Sequence, residues 1–191
     1  DSMKIKAMAK RKGVRLIGPN TIGVITPGLT KVGIMATFLY GDGGNIAIAS
    51  RSGTLSHETA SNLTYRKLGV SSVVGIGGDP IVGTDFVDAL KLFEQDPETE
   101  AVILIGEIGG TREEEAAEYL KEVNYSKPVF AFIAGVNSPP GKKMGHAGAI
   151  IQGGQGSAQS KIDSLTQVGV KVAVSLEDLI SKVEDWNKTR S

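Results

Sequence analysis

Asn45-Ile46-Ala47-Ile48-Ala49-Ser50-Arg51-Ser52-Gly53-Thr54 is the stretch whose reading decides the fold. Its apolar half, bounded upstream by Gly43 and Gly44, predicts a strand buried on both faces. Its second half is a hydroxyl-rich turn that leads into a helix over about 54–67. The same unit recurs downstream. Ser71–Ile76 predicts a strand that runs into Gly77-Gly78-Asp79-Pro80, and a helix over about 84–95 carries Phe86, Ala89, Leu90 and Phe93 on one face. Ala101–Ile105 predicts a third strand, ending in Gly106-Glu107-Ile108-Gly109-Gly110. Thr111 with Glu114 then makes a capping box for a helix over about 112–123. Pro128–Ala134 is a fourth strand, followed by a glycine-rich stretch over 141–156. A helix over about 157–168 stops at Gly169, Val170–Val174 is a short strand, and Ser175 with Asp178 caps a last helix to about Lys188. Strands alternating with helices imply right-handed crossovers and an α/β fold: a largely parallel sheet with helices on both faces.

Upstream of this regular part the pattern is weaker. Residues 1–12 predict a helix whose basic end meets Gly13, and Val14–Ile17 predict a short strand before the turn at Gly18-Pro19-Asn20. Between 22 and 40 only short extended pieces are expected, broken by Pro27, Gly28 and Gly33. A lone helix and strand ahead of the repeating units read as the tail of something larger. A chain beginning at Asp1 rather than Met fits a fragment.

The whole composition narrows the function classes. The 191 residues suit one domain with a substantial core, and 21 basic against 21 acidic residues leave no net charge. No basic run or aromatic-interleaved patch points to nucleic acid, and no signal-like or membrane-spanning apolar run is present. The absence of cysteine excludes disulfides and thiolate metal sites and fits a reducing compartment: the cytoplasm, or the mitochondrial matrix in a eukaryote. The two histidines are far apart and do not match zinc spacing, so no metal site is expected. Neither a Gly-x-Ser-x-Gly elbow nor a Walker loop occurs.

In such sheets ligands bind beyond the carboxyl ends of the strands. The glycine-rich loops at 50–54, 75–80, 106–110 and 135–148 therefore belong on one edge, where residues distant in sequence can converge. His146 lies in a stretch that holds six glycines, unshielded and free to approach a bulky anion; the plainer alternative is a surface-loop histidine. Ser50, Ser52, Gly53 and Thr54 sit at a helix start, where free N–H groups and the helix dipole favour phosphate. Ser52 or Thr54 as a simple N-cap is the alternative. Glu107 at a strand end can accept from one imidazole nitrogen and leave the other with a free lone pair, as a nucleophilic histidine requires. Pairing with a lysine or arginine is its alternative. His57 by itself reads as an ordinary residue of the first long helix. Lys142 and Lys143 either bind phosphate or form a solvated basic patch.

Taken together, Gly18-Pro19-Asn20, Ser50-Arg51-Ser52-Gly53-Thr54-Leu55, Gly75-Ile76-Gly77-Gly78-Asp79-Pro80, Gly106-Glu107-Ile108-Gly109-Gly110 and Met144-Gly145-His146-Ala147-Gly148-Ala149-Ile150 resemble the alpha subunit of succinyl-CoA synthetase (succinate–CoA ligase). The segments recur in that family's order over nearly the whole chain. The resemblance implies a flavodoxin-like three-layer sandwich over residues 21–191. It also implies that residues 1–20 are the remnant helix and strand of a Rossmann-like CoA-binding domain. The activity it implies is reversible formation of succinyl-CoA from succinate and CoA at the expense of ATP or GTP. His146 would be transiently phosphorylated, taking the phosphoryl group of an acyl phosphate and passing it to nucleoside diphosphate. Glu107 would orient it, and the helix start at 50–54 would hold the phosphohistidine. Asn20 and Thr21 would lie near CoA. A beta subunit with an ATP-grasp fold would carry the nucleotide and Mg²⁺.

The sequence departs from the family at three places. The N-terminal domain that holds most of the CoA is missing beyond residues 1–17, so this chain alone is expected to bind CoA poorly. Thr21 stands where many members have cysteine. His57 stands where members usually have the tyrosine assigned to the carboxylate substrate; a histidine there can still bind a carboxylate as cation or N–H donor. The rivals are a sibling acyl-CoA synthetase using acetate or malate, a non-catalytic phosphate-binding module, and a purely structural partner domain.

Overall fold

The computed structural model describes residues 1–139, 141, 144–151 and 156–190. Lys142 and Lys143, and positions 152–155 of the glycine-rich stretch, lie outside the described residues. The elements in chain order are α1 (Ser2–Arg11), β1 (Gly23–Thr26), β2 (Thr30–Gly33), a 3₁₀ turn at Thr37–Leu39, β3 (Ile46–Ser50), α2 (Gly53–Tyr65) and β4 (Val70–Gly75). They continue with α3 (Phe86–Gln95), β5 (Ala101–Glu107), α4 (Arg112–Val123), β6 (Val129–Ala134), α5 (Ala158–Gln167), β7 (Lys171–Ala173) and α6 (Leu176–Lys188).

The alternating pattern folds into one seven-stranded sheet in the order β2-β1-β4-β3-β5-β6-β7. The strands β4, β3, β5, β6 and β7 pair in parallel, while β1 runs antiparallel to both β2 and β4. The weakly patterned region before residue 40 thus forms a hairpin added to the edge of a flavodoxin-like parallel core. β3 and β5 are buried along their whole length, as central strands covered by helices must be. Alternate side chains feed two cores. Ala47, Ala49, Val102 and Leu104 meet Phe86, Leu90 and Phe93 of α3 and Ala116 and Leu120 of α4. Ile46, Ile48, Ile103 and Ile105 point the other way, onto Leu63 of α2 and Leu179, Ile180 and Val183 of α6. Each such large side chain, wholly removed from water, contributes roughly 1.5–3 kcal/mol.

Two local expectations fail. Val14–Ile17 form no strand: the segment is held instead at the carboxyl-edge side, where Thr84 Oγ1 donates to Leu16 O (2.8 Å) and Gly83 N–H to Gly18 O (2.9 Å). An extended segment needs a neighbouring backbone edge to become a strand, and none of the described residues supplies one. Thr111 does occupy the N-cap of α4, but its hydroxyl bonds Glu115 rather than the helix backbone. Glu114, which would have closed the box, is taken by Lys161 and Ser160 of α5.

Tyr40 is fully buried beside α2, and its hydroxyl has no partner among the described residues. Burial pushes it from the ordinary 10.0 up to about 12. The fold therefore favours the neutral phenol, and the stability linked to it is present below pH 10.0 and lost as pH rises toward about 12. Tyr40→Phe is expected to match wild type within about 1 kcal/mol at neutral pH, because it deletes an unpaired polar atom. It should also remove this part of the alkaline destabilisation. Urea denaturation at neutral pH and across that alkaline interval checks both.

Candidate functional site

The chain leaves β3 through α2 to β4 on one side and returns through α3 to β5 on the other. The loops that follow β3 and β5 therefore part toward opposite faces of the sheet, and the crevice between them is where such folds bind ligands. Ser50 ends β3 and Glu107 ends β5, while the β4 loop carries Gly77 and Gly78 alongside. Because β1 is antiparallel to β4, its upstream residues Asn20 and Thr21 arrive at the same edge. Thr21 Oγ1 donates to Gly75 O and accepts from Gly23 N–H, so its hydroxyl braces the edge strands.

His146 lies across this crevice on a tight loop in which Met144 N–H donates to Ala149 O (2.9 Å) and Ala149 N–H to His146 O (3.2 Å). Gly148 N–H donates to Gly78 O (2.9 Å), docking the loop on the β4 segment. The imidazole lies so close over Gly78 that a β-carbon there would overlap the ring. Gly109 is equally confined: its φ is +87°, and a β-carbon would collide with the Gly148 carbonyl. Arg112, at the start of α4, donates to Asp79 O (3.0 Å) and Pro80 O (2.5 Å), which ties the β4 loop to that helix. Burial holds this guanidinium below its ordinary value, with the Arg51 cation adding to the effect.

His146 Nδ1 is 2.7 Å from Glu107 Oε2. An ionised carboxylate only accepts, so Nδ1 carries a proton, and in the neutral ring Nε2 keeps a lone pair. The imidazole is 31% exposed while the Glu107 side chain is 9% exposed, so the ring is partly open to solvent and its support is buried.

A cleft of about 370 Å³ is lined by Asn20, Thr21, Ser50, Ser52, Gly53, Thr54, His57 and His146. The topology thus brings every candidate site residue to one place, with Glu107 directly behind His146. Ser52 is the N-cap of α2, its hydroxyl accepting from Leu55 N–H (3.3 Å). That cap leaves the N–H groups of Gly53 and Thr54 without intrahelical acceptors at the positive end of the helix. Ser50 Oγ donates to Ser52 O (2.8 Å) and accepts from Ser52 N–H (3.1 Å), shaping the turn from within. His57, one turn into α2, accepts from Ala36 N–H at Nε2 (3.4 Å) and meets Tyr40 edge-on, with ring centroids 5.6 Å apart. Its Nδ1 is then the nitrogen that bears a proton.

One group of residues escaped the sequence reading. Arg51, 2% exposed, sits between Glu107 and Glu113, and fully buried Lys161 pairs with Glu113 and Glu114. The sequence signal was an arginine at the end of an otherwise apolar buried strand, where a charge needs a partner.

The arrangement has known relatives. A CoA-ligase family profile matches residues 49–171. The chain is 57% identical over 172 residues to the succinate–CoA ligase [ADP-forming] subunit alpha of Methanothermobacter thermautotrophicus, covering 90% of this chain and 58% of that one. It is 52% identical to subunit alpha 2 of the same enzyme from Archaeoglobus fulgidus, over 96% of this chain and 64% of the relative. The chain therefore spans about three-fifths of the length of these curated relatives. Among solved structures, ATP citrate lyase from Methanothrix soehngenii in complex with citrate and coenzyme A superposes with a TM-score of 0.89 at 29% identity, over 99% of this chain and 33% of that one. With the family profile matching residues 49–171, more than half of the chain and all the loops that follow β3, β4, β5 and β6, the chain belongs to the CoA-ligase family.

Proposed function

We propose that this chain is the phosphohistidine-bearing part of a succinate–CoA ligase alpha subunit. The observation that carries the reading is the 2.7 Å bond between His146 Nδ1 and Glu107, which leaves Nε2 as a neutral nucleophile on a ring lining the cleft. In the direction of succinyl-CoA consumption, phosphate displaces CoA to give an acyl phosphate. His146 Nε2 then attacks its phosphorus and the carboxylate departs. Nucleoside diphosphate takes the phosphoryl group from Nε2, which restores the imidazole. The phosphorylated ring bears about −1.5 to −2 charge by analogy with other phosphorylated side chains. Gly53 and Thr54 N–H and the α2 dipole stabilise that charge, Ser52 caps the helix, and Ser50 holds the turn. Asn20 and Thr21 border the path of the CoA thiol.

Relatives named as ADP-forming favour ATP as the nucleotide, and their designation as subunit alpha favours a second subunit. That partner, an ATP-grasp beta subunit, would hold the nucleotide and Mg²⁺. Residues 1–20 are assigned to the CoA-binding domain and 21–191 to the ligase domain; α1 buries none of its residues against the sheet, which supports the division. No helix among the described residues is long and apolar enough to cross a membrane, and a reducing cytoplasm or mitochondrial matrix suits a chain without cysteine.

His57 favours keeping a second acid in view. With Nε2 accepting from Ala36, it offers a substrate carboxylate one N–H. A sibling enzyme acting on acetate or malate would use the same chemistry at His146.

The test is intact mass of the full-length alpha chain assembled with its beta subunit and Mg-ATP or Mg-GTP, with His146→Asn as control. An acid-labile phosphoryl adduct that is absent in the variant and discharged by succinate plus CoA is expected. Discharge only by another acid would move the substrate, and no adduct with either nucleotide would leave a binding module.

A further inference from the structure

Glu107 is gripped at three points besides His146. Its backbone N–H donates to Glu113 Oε1 (3.2 Å), and its carbonyl accepts from Arg51 Nη1 (3.0 Å). Its Oε1 lies 3.1 Å from Arg51 Nη2, an ion pair without hydrogen-bond geometry. The same Nη1 also donates to Gly109 O (2.9 Å) and to Glu113 Oε1 (3.0 Å), so one guanidinium spans the end of β5, the following turn and the first turn of α4. Lys161 of α5, with no exposed surface, pairs with Glu113 and Glu114 and donates to Gly110 O (2.8 Å). Charges thus alternate inward from the imidazole: Glu107, Arg51, Glu113, Lys161.

We propose that Arg51 is a positioning residue that fixes the tautomer of His146 through Glu107. The assignment of His146 as the nucleophile rests on the phosphohistidine reading; the control of its tautomer does not. A planar guanidinium held by two carbonyls and a carboxylate has no freedom to turn, and this directional hold is what a single ammonium lacks. While Arg51 occupies the space between them, Glu107 and Glu113 both remain acceptors. Without that cation Glu107 faces Glu113, which Lys161 pairs only at its other oxygen, and the commonest relief for the uncompensated carboxylate is to take up a proton. A protonated Glu107 is a donor. It would donate to Nδ1 and move the ring proton to Nε2, which removes the lone pair from the edge that faces the cleft.

Two-bond ¹H–¹⁵N correlation spectra of the labelled chain read this directly, because the chain has two histidines and a His57→Gln variant assigns them. Wild type is expected to show the Nδ1–H form at His146. Arg51→Met should lower the ratio of Nδ1–H to Nε2–H forms by about tenfold or more, the scale of losing a charge-assisted hold. Arg51→Lys should restore part of it. If Arg51→Met does not fold, Arg51→Gln removes the charge and the fork while keeping a polar side chain between the two carboxylates. A folded Arg51→Met or Arg51→Gln variant that keeps the wild-type ratio overturns the proposal. Phosphoryl uptake is measured separately in the assembled enzyme: a wild type that fixes its tautomer and never takes up phosphate sinks the phosphohistidine reading and leaves the role of Arg51 standing.

Discussion

Glu107→Gln is expected to lower the rate of His146 phosphorylation by about 10⁴, the scale seen when an acid that orients a catalytic histidine becomes its amide. The size follows from the direction in which the amide must turn. Arg51 Nη2 is a donor 3.1 Å from Oε1, so a glutamine places its carbonyl oxygen there and not its NH₂. The NH₂ then points at His146 Nδ1, which must accept. The ring proton moves to Nε2 and the nucleophilic lone pair is lost, though the side chain has kept its shape. Glu107→Asp shortens the reach by a methylene but preserves an acceptor, and should retain more activity than the isosteric amide. Single-turnover phosphorylation of the assembled enzyme, followed by intact mass, measures both. Equal rates for wild type and Glu107→Gln would show that the carboxylate does not set the tautomer.

Gly78→Ala should cost about 10²-fold in the same step, because misplacing a reacting group by about 1 Å has that effect. The added methyl would overlap the His146 ring, so the imidazole has to lift away. Lifting it breaks the bond to Glu107 Oε2 and strains the docking of Gly148 N–H on Gly78 O. Gly78 does not have a positive φ, so alanine is tolerated by the backbone itself. The strain therefore falls on the docked histidine loop, and the phosphorylation rate should fall even in molecules that remain folded. A large loss of stability with normal phosphorylation per folded molecule would place the strain elsewhere in the loop.

Legibility differed from element to element for definite reasons. The central strands were visible because a strand covered on both faces has to be apolar throughout: β3 and β5 read that way and are buried that way. The helix α3 was equally plain, with Phe86, Ala89, Leu90 and Phe93 repeating at helical spacing and all buried. Val14–Ile17 misled because extended propensity is a local quantity and a strand is not; it needs a neighbour to pair with. The cap of α4 misled for a related reason. Thr111 and Glu114 have the right spacing, but Lys161, 47 positions beyond Glu114, offers its carboxylate a stronger partner.

The candidate site divides along the same line. His146, Glu107 and the helix start at Ser52 could be singled out because glycine-rich loops after apolar strands must gather at one edge of a parallel sheet. Arg51 could not be given a role, since its partners lie 56, 58 and 62 residues away.

By itself, the sequence determined the alternation of strands and helices, the faces they bury, and the loops that carry the imidazole and the carboxylate. Only the tertiary structure decided the strand order that sets β3 beside β5 and so brings Arg51, Glu113 and Lys161 together behind Glu107. Local periodicity follows from side-chain geometry within a few residues, whereas the meeting of buried charges depends on how the whole sheet packs.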